Sequence, residues 1–322
     1  MDDDEVNGRS SSVDTVASHQ SPLDWLLDGD PSVAWQTQRD LADDERWRET
    51  RVRVASEGWG RRLLELQDPD GKWANGLYRP KWTSTTYTLL QLRRLGLEPS
   101  NAQAIAGVRC LLDEAEWVGG GVSYWTTHRF AERCVNGMVL SLASHFDTQD
   151  PRRDELAATL VAGRVDDGGW NCNDYRGHTH HSSFNTTISV LEALHLWRTR
   201  TGSREADEAI ASGQEVLLEH RLFRSHRNGG VIDDAWTRFA FPPRWHYDVL
   251  RGLEHFREAG VEPDPRAEEA IEVVRRRRRP DGRWPIGPRY TGVEHFRMET
   301  GRNPGRWNTL GALRVLRWWE ER

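Results

Sequence analysis

Two cysteines and one histidine carry the most distinctive chemistry in this sequence. Cys134 (in ERCVNG), Cys172 (in GGWNCN) and His246 (in PPRWHYDVLRGL) each stand in a polar stretch near the start of an apolar, helix-periodic run. Helix caps do not account for them, because caps draw on Ser, Thr, Asn and Asp. Two thiols and one imidazole form a zinc donor set of three protein ligands, which leaves a fourth position open for a reacting group. The alternative reading is packing: a lone cysteine often behaves as a small buried hydrophobe, and Cys110 in VRCLLDE fits that description. Asp167, Asp174 and Asp248 are the acids that could join or replace a ligand. Asp167, Asp248 and Tyr247 are also the candidate proton-transfer groups. His178, His180 and His181, in HTHHSSF, read as a solvated loop.

Cations and aromatic rings recur at the same helix starts. Lys81, Arg133, Arg244 and Arg306 sit at or beside them, where guanidinium groups could hold a phosphate or carboxylate in a two-pronged grip. Ordinary surface charge is the competing explanation for any one of them alone. Trp82, Tyr87, Trp125, Phe184, Trp245 and Trp307 would wall an apolar cavity below, or fill a core.

These residues converge only if repeated elements bring them together. Three stretches read almost alike: LQDPDGKW ending at Trp73, VDDGGW ending at Trp170 and RRPDGRW ending at Trp284. In each, Asp and Gly supply a helix-stopping turn, and a Trp follows that can pack back over it. Degenerate copies, VGGGVSYW near Gly120 and RNGGVIDD near Gly230, fill the gaps, giving a repeat of about 50 to 60 residues, the range of helical pairs. Charged amphipathic helices are predicted before the turns, over Glu45–Leu66, Ala102–Leu112, Arg153–Ala162, Glu205–Arg221 and Arg266–Arg277. More apolar helices follow them: TLLQLRRLGL, MVLSLASHF, ISVLEALHLW, YDVLRGLEHF and LGALRVLRWW. A sixth inner helix starts in DGDPSVAWQTQRDL, with Asp30 as cap and Pro31 in the first turn. The expectation is an all-α (α/α)6 toroid of outer and inner helices over residues 21–322, after a disordered acidic tail at 1–20. Parallel inner helices would gather their polar first turns at one mouth, where free N–H groups favour anions.

Composition narrows the function classes. The net charge is −6, so a nucleic-acid partner is not expected, and RRRRRP at Arg275–Pro280 reads as a helix end. Sixteen tryptophans among 322 residues are a large stock of rings for a core or a ligand wall. The N-terminal residues lack the basic start and apolar stretch of a signal peptide, and no segment has the length of a membrane span; a cytoplasmic protein is expected. Three cysteines are too few, and odd in number, for a disulfide framework.

The run Gln67-Asp68-Pro69-Asp70-Gly71-Lys72-Trp73 resembles the Q-x-x-D-G-x-W repeat of the squalene cyclases. The order of helix pair, Gly-rich turn and polar helix start is similar to the toroid shared by terpenoid cyclases and protein prenyltransferase β subunits, over about residues 22–322. That likeness implies an enzyme acting on an isoprenoid or similarly apolar substrate in a central cavity. In the prenyltransferases zinc is held by an Asp-x-Cys pair and a later His; RWHYDVLRGL places His246 in the latter role. Cys172 has no acid two positions before it, so Cys134 would complete a set similar to that of the lanthionine cyclases. Prenyltransferase β subunits also imply a helical partner protein. The DxDD acid of class II cyclases is missing from the barrel segments, VIDDAW having Val231 in its leading position. A metal-independent cyclase using carboxylates such as Asp233 or Asp234, and a toroid that binds a ligand or partner without chemistry, are the other two expectations.

Overall fold

The computed structural model describes residues 20–125, 129–146, 149–173, 179–301 and 303–321. It is predominantly helical, and the paired strands among these residues are one hairpin, β1 (Glu116–Val118) with β2 (Gly121–Ser123). That hairpin occupies the degenerate VGGGVSYW turn.

The three clearest repeat turns share one set of bonds, which explains their common wording. Trp73, Trp170 and Trp284 are fully buried, and each indole N–H donates to a carbonyl ten residues back, on Leu63, Leu160 and Val274 at 2.8, 2.7 and 2.8 Å. Each Trp backbone N–H in turn donates to a threonine hydroxyl in the following helix, on Thr85, Thr187 and Thr309. Gly71, Gly168 and Gly282 hold φ of 88, 95 and 79°, a left-handed conformation that costs glycine little and other residues much. A buried ring therefore staples the helix before each turn to the helix after it.

After a short α1 (Pro22–Leu27), the helices expected to be inner are α2 (Pro31–Asp40), α5 (Thr85–Leu95), α7 (Arg133–Phe146), α9 (Phe184–Thr201), α11 (Val249–Glu258) and α13 (Arg306–Glu320). Every residue of α7 from Val135 to Phe146 is buried, as expected of a helix covered on all sides. Contacts run in succession from α5 to α7, α9, α11 and α13, and from α13 to α2. Trp35 Nε1 and Gln36 Nε2 of α2 donate to the Leu95 and Arg94 carbonyls, at 2.9 and 3.2 Å, and so tie α2 to α5. In the intervening segments, α6 (Ala102–Asp113) packs on α5 and α7, and α8 (Arg152–Ala162) on α7 and α9. There α10 (Asp207–Glu219) packs on α9, and α12 (Glu268–Arg276) on α11 and α13.

Two element boundaries differ from expectation. The single helix predicted over Glu45–Leu66 is broken into α3 (Trp47–Val52), a 3-10 turn and α4 (Gly58–Leu64). Gly58 has φ 58°, and a Cβ there would lie 1.9 Å from the Asp30 carboxylate, which instead accepts the Trp59 N–H at 2.8 Å. In the second case α11 begins at Val249 rather than at Tyr247, where the apolar run YDVLRGLEHF opens. Asp248 caps it, accepting the Arg251 N–H at 2.8 Å, and His246 and Tyr247 lie in the preceding turn.

Candidate functional site

The helix starts do gather much of the chemistry expected of them, but as two adjoining clusters. The first is aromatic. The His246 ring is stacked between Trp245 and Tyr290, each 3.7 Å away between centroids, and Trp82 stands at 6.3 Å. Lys81 Nζ lies 5.6 and 5.4 Å from the Trp82 and Trp245 rings, within cation–π range. Arg244 is buried beside Trp82 and donates to Gln91 Oε1 at 3.1 Å. Tyr87 packs edge-on against Trp82 and donates its hydroxyl to Tyr78. Trp82 and Arg244 have φ of 106 and 57°, a strained choice for residues with side chains. Burial, reinforced by Arg251 and Lys81, lowers His246 to about 4, so its imidazole is neutral near pH 7.

The second cluster is the thiol pair. Cys134, on the first turn of α7, donates its backbone N–H to Cys172 Sγ at 3.1 Å, and the Thr186 hydroxyl donates to the same sulfur at 3.4 Å. Bonding from Cys134 holds the Cys172 thiol below its usual value, while bonding to Cys172 and burial push Cys134 well up. The Asn185 side chain, next to Thr186, accepts the Tyr247 N–H at 2.7 Å and joins the two clusters.

The expected zinc set is met only in part. Cys134 and Cys172 adjoin, but His246 has both ring faces covered by aromatic neighbours, and no group of three His, Cys, Asp or Glu side chains among the described residues is placed to share a metal. Among the described residues the two thiols therefore lack a third His, Cys, Asp or Glu donor placed beside them. Asp174 and His178 lie outside the described residues. Cys110 sits apart, bonded to the Asp70 carbonyl.

The candidate proton-transfer groups are engaged in structure. Asp248 accepts N–H groups from Arg251 and Ala240, one on each oxygen; burial still raises it to about 6. Asp167 accepts from Gly169 in its own turn and from Ser182, just before α9. The buried Tyr247 hydroxyl donates to the Leu222 carbonyl. Asp233 caps a 3-10 turn at Asp234–Thr237. His180 pairs with Asp166, and His181 stands 3.9 Å from Asp167, both on an exposed loop as expected.

The remaining predicted binders are dispersed. Phe184 packs between Trp236 and Tyr247, and Arg133 opens α7 with its Nε unbonded. Trp125 lies near Tyr78 with Arg79 over its ring. Arg306 covers Trp25, and Trp307 is stacked on Phe241 at 4.0 Å.

An arginine-rich cavity lies mostly away from these two clusters. A chamber of about 330 Å3 opens among the later turns of α2, α5, α7 and α9 and runs along α11 and α13. Of the predicted site residues only Asp248 and Trp307 line it. Its wall holds seven arginines against three glutamates and one aspartate. One carboxylate, Glu192, answers three of those arginines: Arg251 Nε at 2.8 Å, Arg94 Nη2 at 2.9 Å and Arg93 Nη2 at 3.8 Å. Burial alone would raise Glu192, but Arg251 and Arg94 outweigh it and keep it well below the carboxylate range. Burial, then repulsion from Arg94, lowers Arg93 to about 10. His145 falls to about 3 through burial; its bond to the Leu97 carbonyl opposes the fall, and the charges of Arg93, Arg200 and Arg51 deepen it. Four cationic or potentially cationic groups thus crowd one end of the chamber. Trp35, Phe239, Phe241, Leu250 and Trp307 supply apolar wall beside them.

The chamber arginines were legible in outline. Glu192 stands in the middle of the apolar run ISVLEALHLW, and Arg93, Arg94, Arg251 and Arg314 interrupt equivalent runs. Ionisable groups on helices otherwise covered by neighbours must pair or face a cavity.

No helix among the described residues is long and apolar enough to cross a membrane. No family model matches the chain, and neither does any curated protein. Among solved structures, a protein from Actinoplanes is similar over 84% of this chain and 88% of its own, at 16% identity and a TM-score of 0.46.

Proposed function

We propose that the succession of inner-helix contacts, closed through α13, α2 and α5, is an α/α toroid, and that its chamber binds a small substrate with an anionic head and an apolar body. The observation that carries this reading is the excess of chamber arginines over carboxylates. Guanidinium groups crowded out of water repel one another, and a phosphate or carboxylate among them would offset that cost while accepting paired N–H bonds. The rings of Trp35, Phe241 and Trp307 suit the apolar remainder. The resemblance of the Trp73 repeat to the squalene cyclases, and of the helix order to the prenyltransferase β subunits, supports an isoprenoid-type body and an enzyme of that broad class. Zinc has no part in this reading.

The test compares a prenyl diphosphate, the parent prenyl alcohol and inorganic diphosphate in thermal unfolding and calorimetric titration. At a hundredfold excess over Kd, the prenyl diphosphate should stabilise by about 2.7 kcal/mol, a Tm rise of roughly 5 °C. Inorganic diphosphate should give a smaller rise, the alcohol little, and Arg93→Met with Arg51→Met should weaken diphosphate binding about tenfold or more. Equal stabilisation by the alcohol, or no response to either diphosphate at low salt, would refute it.

A further inference from the structure

We infer that Cys134 and Cys172 are a reversible dithiol, oxidised by a hydroperoxide at Cys172 and closed to a disulfide by Cys134. The inference stands on a different part of the molecule from the chamber, and neither depends on the other.

The sulfur of Cys172 accepts two hydrogen bonds, from the Cys134 backbone N–H at the start of α7 and from the Thr186 hydroxyl at the start of α9. Donors of this kind at helix N-termini favour a thiolate, the form that reacts. Both cysteines are half-buried rather than sealed in the core. Because the Cys134 amide already touches the Cys172 sulfur, the Cys134 side chain is within reach of that sulfur, as bridging requires. The third cysteine, Cys110, bonds a carbonyl oxygen, has its thiol pushed up by burial, and has no cysteine partner among the described residues.

The chemistry balances in two steps. The Cys172 thiolate attacks one peroxide oxygen; the O–O bond breaks, the departing alkoxide takes a proton and leaves as an alcohol, and the sulfur becomes a sulfenic acid, oxidised by two electrons as the peroxide is reduced. Cys134 then attacks that sulfur; an S–S bond forms, the S–O bond breaks, and the hydroxyl leaves as water with the Cys134 proton. An external thiol reverses the outcome by exchange.

The experiment treats the intact reduced protein with hydrogen peroxide and follows it by peptide mass spectrometry. The expected result is a Cys134–Cys172 linked peptide that disappears on reduction, with Cys110 still a free thiol. In Cys134→Ser the product should instead be a sulfenic acid on Cys172, captured by dimedone, and iodoacetamide should label Cys172 about tenfold faster than Cys110. Circular dichroism of Cys134→Ser and Cys172→Ser, each compared with the parent, separates lost chemistry from lost folding. Labelling of Cys172 no faster than Cys110, absence of the linked peptide, or one zinc per chain shielding both thiols from iodoacetamide would each overturn the inference.

Discussion

Acid should act on this fold through buried groups that oppose one another, and four of them form two opposed pairs. Burial holds His145 near 3 and His255 near 4, against an ordinary 6.5. A histidine whose folded value is depressed contributes stability that is present above 6.5 and lost as pH falls, because the unfolded chain takes the proton first. Between pH 7 and 5 the loss is about 2 kcal/mol for each ring. Asp248 and Glu299 run the other way. Burial raises them to about 6 and about 7, from 3.8 and 4.5, so the folded state binds protons first and gains stability over the same window. That gain is about 1 kcal/mol for Asp248 and about 2 for Glu299. For these four groups the sum is close to level, while His246, also lowered to about 4, adds a loss of the same sign as the other two histidines, so single variants are needed to separate the contributions. His255→Gln keeps an acceptor for the Gln214 amide, which now bonds the ring at 3.1 Å, and it removes one proton-linked loss. Relative to the parent, it should be about 2 kcal/mol more stable at pH 5 than at pH 7, read from urea midpoints followed by tryptophan fluorescence. Glu299→Gln should shift the other way by a similar amount. A His255→Gln difference that stays constant within about 0.5 kcal/mol across the window would refute the reasoning.

The repeat turns and the chamber each offer a simpler test. Trp170→Ala removes a fully buried ring and its bond to the Leu160 carbonyl, and should cost about 3–5 kcal/mol; Thr187→Val, which leaves the Trp170 N–H unbonded, should cost about 1–2. Denaturant melts would check both, and a Thr187→Val variant as stable as the parent would disprove the staple. Glu192→Gln strips the shared partner from Arg93, Arg94 and Arg251, and should lower stability by about 3–5 kcal/mol. Inorganic diphosphate should then raise Tm more in the variant than in the parent, and an equal or smaller rise would count against an anion site.

The helical class was readable because its signals are local. Asp-Gly followed by Trp states a turn and a ring to bury, and the threonines at the next helix start, Thr85, Thr187 and Thr309, were visible as polar first turns before their partners were known. The break at Gly58 was harder to see, because its cause is Asp30, 28 residues earlier in sequence but in direct contact in space. The same limit applies to His246. Its type and position pointed to a metal ligand, but ring stacking by Trp245 and by the distant Tyr290 decides how the imidazole is held, and nothing in RWHYD reveals Tyr290.

The chamber shows the limit most clearly. Attention to helix beginnings favoured residues whose chemistry is unusual for a cap, and missed residues whose chemistry is unusual for a buried helix face. Glu192 is the instructive case. One carboxylate inside an apolar run must be ionised and paired or protonated and bonded, and three arginines on two neighbouring helices settle it in favour of ionisation. Three cations on one anion leave a surplus at this end; Glu254, Glu258 and Asp248 elsewhere in the wall reduce it, but seven arginines still outnumber four acids there. On the function proposed above, charge balance is therefore a better guide than any motif: a substrate of this chamber should bring the missing negative charge.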